Sequence, residues 1–357
     1  MEDKRITVGI MFGGQSAEHD ISLRSTASIY KNLDRTKYRP ILIFITRNEG
    51  RWHLISEAQF EAKDFPIDGG YSFLPWLNHD MKHLEADIYF PVLHGPNGED
   101  GKVQALLELA GKPFVGANSL SSGLAMDKVL AKILFREAGL KIADFLFFEN
   151  PEFEPIRKAV SANLTYPVFV KPSSMGSSVG ISRVTSESDL KEAVELAFRY
   201  DRKILIEKGI EMREIEVSVM GNDEIMVSRP GELVPFNEFY DYNDKYMDGK
   251  TTFYIPAAME PELEERVREV AGKAYKALSL NGMSRVDLFI EKKTLDVYVN
   301  EINTIPGFTE ISMFPKLWTV QGISFSELLD RLIEYGFKYS KKQPVSTALH
   351  EGIRKGM

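Results

Sequence analysis

The sequence predicts two kinds of structure in succession: an N-terminal parallel α/β domain, then α+β lobes built on antiparallel sheets. Three observations carry this. Up to about residue 120, apolar β-branched runs alternate with segments of helical period. From about residue 167, short strands follow one another across tight turns with few helices between them. Near the C-terminus, Ser284–Glu291 and Asp296–Asn303 read as two strands of a hairpin. A chain of 357 residues, 43% hydrophobic and 27% charged, has room for two or three domains with cores of their own.

The elements follow in order. Ile6–Phe12 is a buried first strand, Gly13-Gly14-Gln15-Ser16 a tight turn with Ser16 placed as an N-cap, and Ala17–Asn32 a helix. Pro40–Thr46 and Asp87–Leu93 are further strands. The second ends at His94-Gly95-Pro96-Asn97-Gly98-Glu99-Asp100-Gly101, and Val103–Leu109 restarts a helix. Ala125–Glu137 reads as one helix carrying Lys128 and Lys132 four residues apart. Pro167–Lys171, Gly180–Val184, Lys203–Lys208 and Glu214–Gly221 are strands around one helix, Glu187–Tyr200. Pro261–Leu278 is amphipathic, and Phe325–Phe337 closes the fold. The expected divisions are 1–122, 123–220 and 221–340, with a polar tail at 341–357.

Composition removes several function classes. The net charge of −8, with no basic block before the last residues, argues against nucleic-acid binding. Without cysteine there is no disulfide, thiolate zinc site or thiol nucleophile, which agrees with a reducing compartment. No apolar run reaches membrane-spanning length, and Ile6–Phe12 is too short for a signal peptide, so the expected location is the cytoplasm.

The chemistry concentrates in two places. At Phe169–Gly180 an apolar strand ends in Lys171-Pro172, and a loop of Ser173, Ser174, Met175, Gly176, Ser177 and Ser178 follows. Small residues let backbone N–H groups close over phosphate oxygens, and the lysine adds charge. A lysine leaving a buried strand needs an anionic partner, either a phosphate or a structural glutamate. On the hairpin, Arg285 and Asp287 share one face by the period of two, and so do Glu301 and Asn303. The two polar faces coincide only if the connection has an odd number of residues or a bulge intervenes. Oxygen ligands gathered there suit Mg²⁺; the alternative is a solvated arginine–carboxylate pair. Gly307 lies in a Pro-Gly turn, which either donates N–H groups to an oxyanion or is a plain turn. Glu207 and Glu214 flank a turn that binds adenine and ribose, or are two surface glutamates. Pro235–Pro256 lacks periodicity but holds several aromatics, the profile of a lid. Gly13–Asp20 does not match the dinucleotide fingerprint, and the pair His79 and His83 lacks a third ligand, so neither an NAD site nor a metal is expected there.

Read together, these segments resemble the D-alanine–D-alanine ligases, ATP-grasp enzymes of peptidoglycan precursor synthesis, from about Ile6 to Phe337. The resemblance rests on Gly13–Glu18, His94-Gly95 with Gly98–Gly101, Met126-Asp127-Lys128, Lys171-Pro172 with Gly176–Gly180, Tyr240-Asp241-Tyr242 with Lys245-Tyr246, Arg285-Val286-Asp287, and Asn300–Asn303 with Pro306-Gly307. It implies an ATP-grasp fold whose two lobes clamp ATP behind the N-terminal domain. Lys128 and Lys171 would hold phosphates under the Met175–Val179 loop, with Ser178 in it. Glu207 would lie by adenine and Glu214 by ribose. Asp287, Glu301 and Asn303 would carry two Mg²⁺ or Mn²⁺. Glu18 would bind the first D-alanine ammonium in a triad with Ser177 and Tyr246. His94 would lie near a substrate carboxylate, Arg285 and the Gly307 N–H would form the oxyanion hole, and Lys245 and Ser312 would face the second D-alanine. A D-serine or D-lactate acceptor is the alternative, which Lys245-Tyr246 speaks against. A homodimer is usual in such enzymes.

Overall fold

The structure is a computed structural model that describes residues 3–67, 69–70, 86–234 and 252–342. Lys245, Tyr246, most of the expected lid, His79, His83 and nearly all of the tail lie outside the described residues.

The first sheet has the order β3-β2-β1-β4. Strand β1 (Ile6–Gly13) is buried along almost its whole length, as a central parallel strand must be. It pairs in parallel with β2 (Tyr38–Ile45) and, on its other side, with β4 (Ile88–Val92). The expected sheet was wholly parallel, but β3 (Trp52–Ile55) adds an antiparallel edge, at four residues too short to be read as a strand. Helix α1 (His19–Asn32) makes the β1–β2 crossover, followed by α2 (Glu57–Ala62) and α3 (Lys102–Leu109). Ser16 does not cap α1; its hydroxyl donates to His94 O at 2.6 Å.

The expected helix Ala125–Glu137 is broken. Helix α4 (Ser119–Met126) ends and α5 (Lys128–Glu137) begins at Asp127, whose backbone is extended at φ −80°, ψ 97°. Its carboxylate accepts from the N–H groups of Val129 and Leu130, the geometry of an N-cap. Hydrophobic periodicity runs through this break, and so hid it.

The second sheet, β5-β8-β6-β7, joins β5 (Phe145–Phe148), β6 (Val168–Pro172), β7 (Ser182–Val184) and β8 (Ile204–Lys208) in antiparallel pairs. Helices α6 (Phe153–Asn163) and α7 (Glu187–Phe198) cover it, with Val160, Leu190 and Val194 buried against Val168, Val170 and Ile206. The third sheet contains β9 (Met212–Gly221), β10 (Ile225–Val227), β11 (Gly231–Val234), β12 (Thr252–Tyr254), β13 (Gly282–Glu291) and β14 (Val297–Asn303). Helix α8 (Pro261–Ala277) packs on it. The expected division at residue 220 cuts through this sheet. β9 pairs with β13 over ten residues, from Met212 to Gly221, so the sheets part at the turn before Met212.

Helices α9 (Met313–Thr319) and α10 (Phe325–Lys342) return to the first sheet. One core joins Val8, Phe12 and Phe90 to Phe308, Phe314, Trp318 and Leu332. Phe308 meets Phe90 edge-on at 5.7 Å and is fully buried, a contact of roughly 2–3 kcal/mol that nails the Pro306-Gly307 turn to the N-terminal domain. Among the described residues, no helix is long and apolar enough to cross a membrane.

Candidate active site

A cavity of about 420 Å³ opens where the three sheets meet. Glu18 at the start of α1, the Met175–Ser178 loop, Lys128, the polar ends of β13 and β14, and the Ile305–Ser312 turn all line it.

The hairpin face is made by a bulge. Arg285 lies opposite Asn303 and Asp287 opposite Glu301, but Leu288 lies opposite Val299, so Asn300 is the extra residue. Without it Glu301 and Asn303 would face the core; with it they join Arg285 and Asp287. β9 extends the row, because Glu216 lies opposite Asp287 on the other side. Three carboxylates, Glu216, Asp287 and Glu301, thus stand on adjacent strands, an arrangement that repels unless cations are supplied. Arg285 supplies one. Its Nε and Nη2 grip the two Asp287 oxygens at 2.7 Å each, and Nε is 3.3 Å from Glu216. Asn303 Nδ2 donates to Asp287 at 2.9 Å, which turns its carbonyl oxygen outward. Among the described residues, no three His, Cys, Asp or Glu side chains are grouped to hold a metal ion. The donor set nonetheless suits Mg²⁺: two carboxylates and an amide oxygen, with the remaining positions left to water and phosphate oxygens.

Beside the cavity, on β6, β8 and α5, lies a buried lysine–glutamate cluster, and Lys128 is its neighbour in the cavity lining. Glu207 sits between Lys171, at 2.6 Å, and Lys132. Lys171 thus has a glutamate partner in this structure, one of the two partners its burial required. Burial pushes the Glu207 carboxyl up, but the two lysines outweigh it and hold it down at about 2. Burial pulls the Lys132 ammonium below its usual range, with Glu207 opposing. Lys128 reaches across, donating to Met175 O at 2.8 Å and lying 3.4 Å from Glu301. Glu214 stands on β9, close enough to raise the Lys171 ammonium together with Glu207 and Glu301.

The Met175–Val179 loop lies over the cavity. Ser177 and Ser178 have φ of +51° and +59°, a left-handed pair unusual outside glycine. The Ser177 hydroxyl is buried without a hydrogen-bond partner among the described residues. Glu18 lies beside it, and a Cβ on Gly95 would come within 2.7 Å of Glu18 Oε2, so Gly95 leaves room for that carboxylate. His94 does not offer itself to a substrate. Its Nδ1 donates to Ile305 O at 2.9 Å, leaving Nε2 as acceptor from Ser25 Oγ at 3.0 Å. Ser25 Oγ accepts from Phe308 N–H at 3.1 Å. Burial lowers the imidazole's pKa and keeps it neutral. His94 and Ser25 therefore grip both ends of Pro306-Gly307. Ser312 approaches from the other side, its Oγ accepting from Thr309 N–H at 3.0 Å.

Four side chains at this site were not singled out from sequence. Lys132 reads only as a lysine four residues from Lys128 on one helix, and Glu216 and Ser25 depend on pairings invisible in the chain. Glu99 accepts from Gly95 N–H at 3.0 Å, and burial together with the Glu18 carboxylate pushes its carboxyl up to about 8. Its place in the glycine-rich His94–Gly101 stretch was the available signal.

Two family descriptions match the chain: the N-terminus of D-ala D-ala ligases over residues 7–117 and the C-terminus over 134–334. A D-alanine--D-alanine ligase of Thermoanaerobacter sp. (strain X514) is 50% identical over 349 residues, covering 93% of this chain and 96% of that one. That of Natranaerobius thermophilus is 45% identical over 346 residues, covering 92% and 94%. Among solved structures, the D-alanine-D-alanine ligase from Coxiella burnetii superposes with a TM-score of 0.82 at 32% identity, covering 99% of each chain. The VanG D-Ala:D-Ser ligase from Enterococcus faecalis gives 0.81 at 35%, covering 93% of this chain and 99% of that one. Fold and cleft are those of an ATP-grasp ligase. The chain belongs to the D-alanine–D-alanine ligase family.

Proposed function

We propose that this chain joins two D-alanines at the expense of ATP, through a D-alanyl phosphate, to supply peptidoglycan precursors. The observation that carries the reading is one cavity lined together by Lys128, the Met175–Ser178 loop, Glu216, Arg285, Glu301, Asn303, Glu18 and Gly307, with the Lys171–Glu207–Lys132 cluster on the neighbouring sheet. Glu18 holds the first D-alanine's ammonium. That substrate's carboxylate attacks the γ-phosphorus, and the bond to ADP breaks. Lys128 and Lys171 hold the phosphates, Ser178 and its loop cover them, and Glu207 and Glu214 face the base and ribose. Asp287, Glu301 and Asn303 are the side chains for Mg²⁺ or Mn²⁺, which neutralises phosphoryl charge when bound. Lys245 and Ser312 orient the second D-alanine, whose neutral amine attacks the acyl carbon. Arg285 and the Gly307 N–H receive the oxyanion, phosphate leaves, and the amine proton goes to solvent. His94 acts by fixing the Gly307 turn, and Ser177 with Tyr246 by linking Glu18 to the covering loops. An acyl phosphate hydrolyses in water, so the loop must close before the second step.

The test is mass spectrometry of the product from ATP, Mg²⁺ and D-alanine, with D-serine and D-lactate as competing acceptors. The expected product is D-alanyl-D-alanine at neutral pH. A D-serine or D-lactate product in preference would change the acceptor, and phosphate release independent of D-alanine would reject the ligase reading.

A further inference from the structure

Asp127, between Met126 and Lys128, has no part in the steps above, yet its carboxylate is among the most fully bonded near the cavity. Oδ1 accepts from Ser173 Oγ at 2.8 Å and from the N–H groups of Val129 and Leu130 at 3.1 Å each. Oδ2 is ion-paired with Lys203. Ser173, fully buried, is the first residue after β6. Its N–H donates to Lys203 O at 2.9 Å, and its carbonyl accepts from Lys128 N–H at 3.0 Å. Ser174 N–H donates to Asp201 at 2.7 Å.

From Met175 onward the loop runs over the cavity. The loop keeps the Lys128 contact to Met175 O and internal bonds such as Val179 N–H to Gly176 O at 3.1 Å. At its far end Gly180 has φ +72°, where a Cβ would strike Tyr200 at 2.7 Å and Pro172 at 2.9 Å. A firmly bonded base at one end and a left-handed glycine at the other bound the loop that lies over the cavity, and mark it as a flap.

We propose that Asp127 is a positioning residue that locks the flap base to the start of α5, so that the flap and Lys128 close on the phosphates in register. This rests on the ligase reading for its chemical consequence. With the base unlocked, water attacks the acyl carbon of D-alanyl phosphate, the carbon–oxygen bond to phosphorus breaks, and D-alanine and phosphate are released without dipeptide.

The experiment compares Asp127→Ala, Asp127→Asn and Ser173→Ala by two readouts. Amide hydrogen exchange at Ser173 and Ser174 should accelerate about tenfold or more in Asp127→Ala, while β1 and β4 stay protected. Phosphate released per dipeptide should rise about threefold or more, as expected for an ill-closed lid. Asn keeps an oxygen acceptor for Ser173 and the helix N–H groups but loses the Lys203 ion pair, so Asp127→Asn should restore both readouts in part. Ser173→Ala should shift them in the same direction by less. Unchanged exchange and coupling in Asp127→Ala, or an Asp127→Asn as impaired as Asp127→Ala, would overturn the proposal. Exchange needs no turnover: a wild-type chain that makes no dipeptide defeats the ligase reading, while exchange still decides the anchor.

Discussion

Two clusters beside one cavity carry opposite surpluses of charge. On the second sheet and α5, Lys132 and Lys171 hold one carboxylate, Glu207, and Lys128 lines the cavity nearby. On the third sheet, Glu216, Asp287 and Glu301 stand around one guanidinium, Arg285. Each cluster is partly neutralised from within, which makes it tolerable when buried. Each also keeps an excess, cationic on one side and anionic on the other, and Lys128 bridges the gap to Glu301. A nucleotide with its divalent ions satisfies both excesses at once. The clusters differ in how they are held: the acid row by strand register and a bulge, the lysine cluster by ion pairs and a loop.

The largest expected effect comes from the anionic cluster. Arg285→Ala should lower kcat by about 10²-fold or more through loss of an oxyanion donor. It should also lower Tm, because Glu216 and Asp287 lose their counter-ion. Adding Glu216→Gln should recover part of the Tm and none of the kcat; recovery of both would reduce Arg285 to a structural cation. Asp287→Asn should raise the Mg²⁺ needed for half-maximal rate by about tenfold or more, and an unchanged metal titration would break the hairpin assignment.

In the cationic cluster, Lys132→Met leaves Glu207 with Lys171 as its partner. It should cost about 3 kcal/mol in urea unfolding, the low end for a broken buried pair. Glu207 is held down from 4.5 to about 2, so its contribution is present above pH 4.5 and lost as pH falls toward 2. The acid-unfolding midpoint of Lys132→Met should therefore move to higher pH; an unmoved midpoint would show that Lys171 alone suffices. The last effect, read from stability alone, belongs to Glu99, raised from 4.5 to about 8. A raised pKa gives stability that is full below pH 4.5 and declines as pH rises to 8. Glu99→Gln should flatten that decline, as read from Tm between pH 5 and 8.

The clusters were also unequally legible in the chain. The acid row announced itself through a period of two, and the same arithmetic asked for either an odd connection or a bulge. That the bulge falls at Asn300 depends on which residues of β14 find partners on β13, which no local pattern encodes. Glu216 was hidden for the same reason: β9 and β13 are some seventy residues apart in sequence yet adjacent in the sheet. The lysine cluster showed Lys128 and Lys171 through their loops. Lys132 was legible only as lying four residues from Lys128 on what read as a single long helix. The break at Asp127 reorients that helix, and only a side-chain cap marks it.

The most direct test of two complementary clusters is a crystal structure with ADP and Mg²⁺ bound. The account predicts phosphate oxygens against Lys128 and Lys171, and ions held by Asp287, Glu301 and Asn303 between them. Phosphates lodged elsewhere, with those acids still closed on Arg285 and Lys128 and no ion among them, would contradict it.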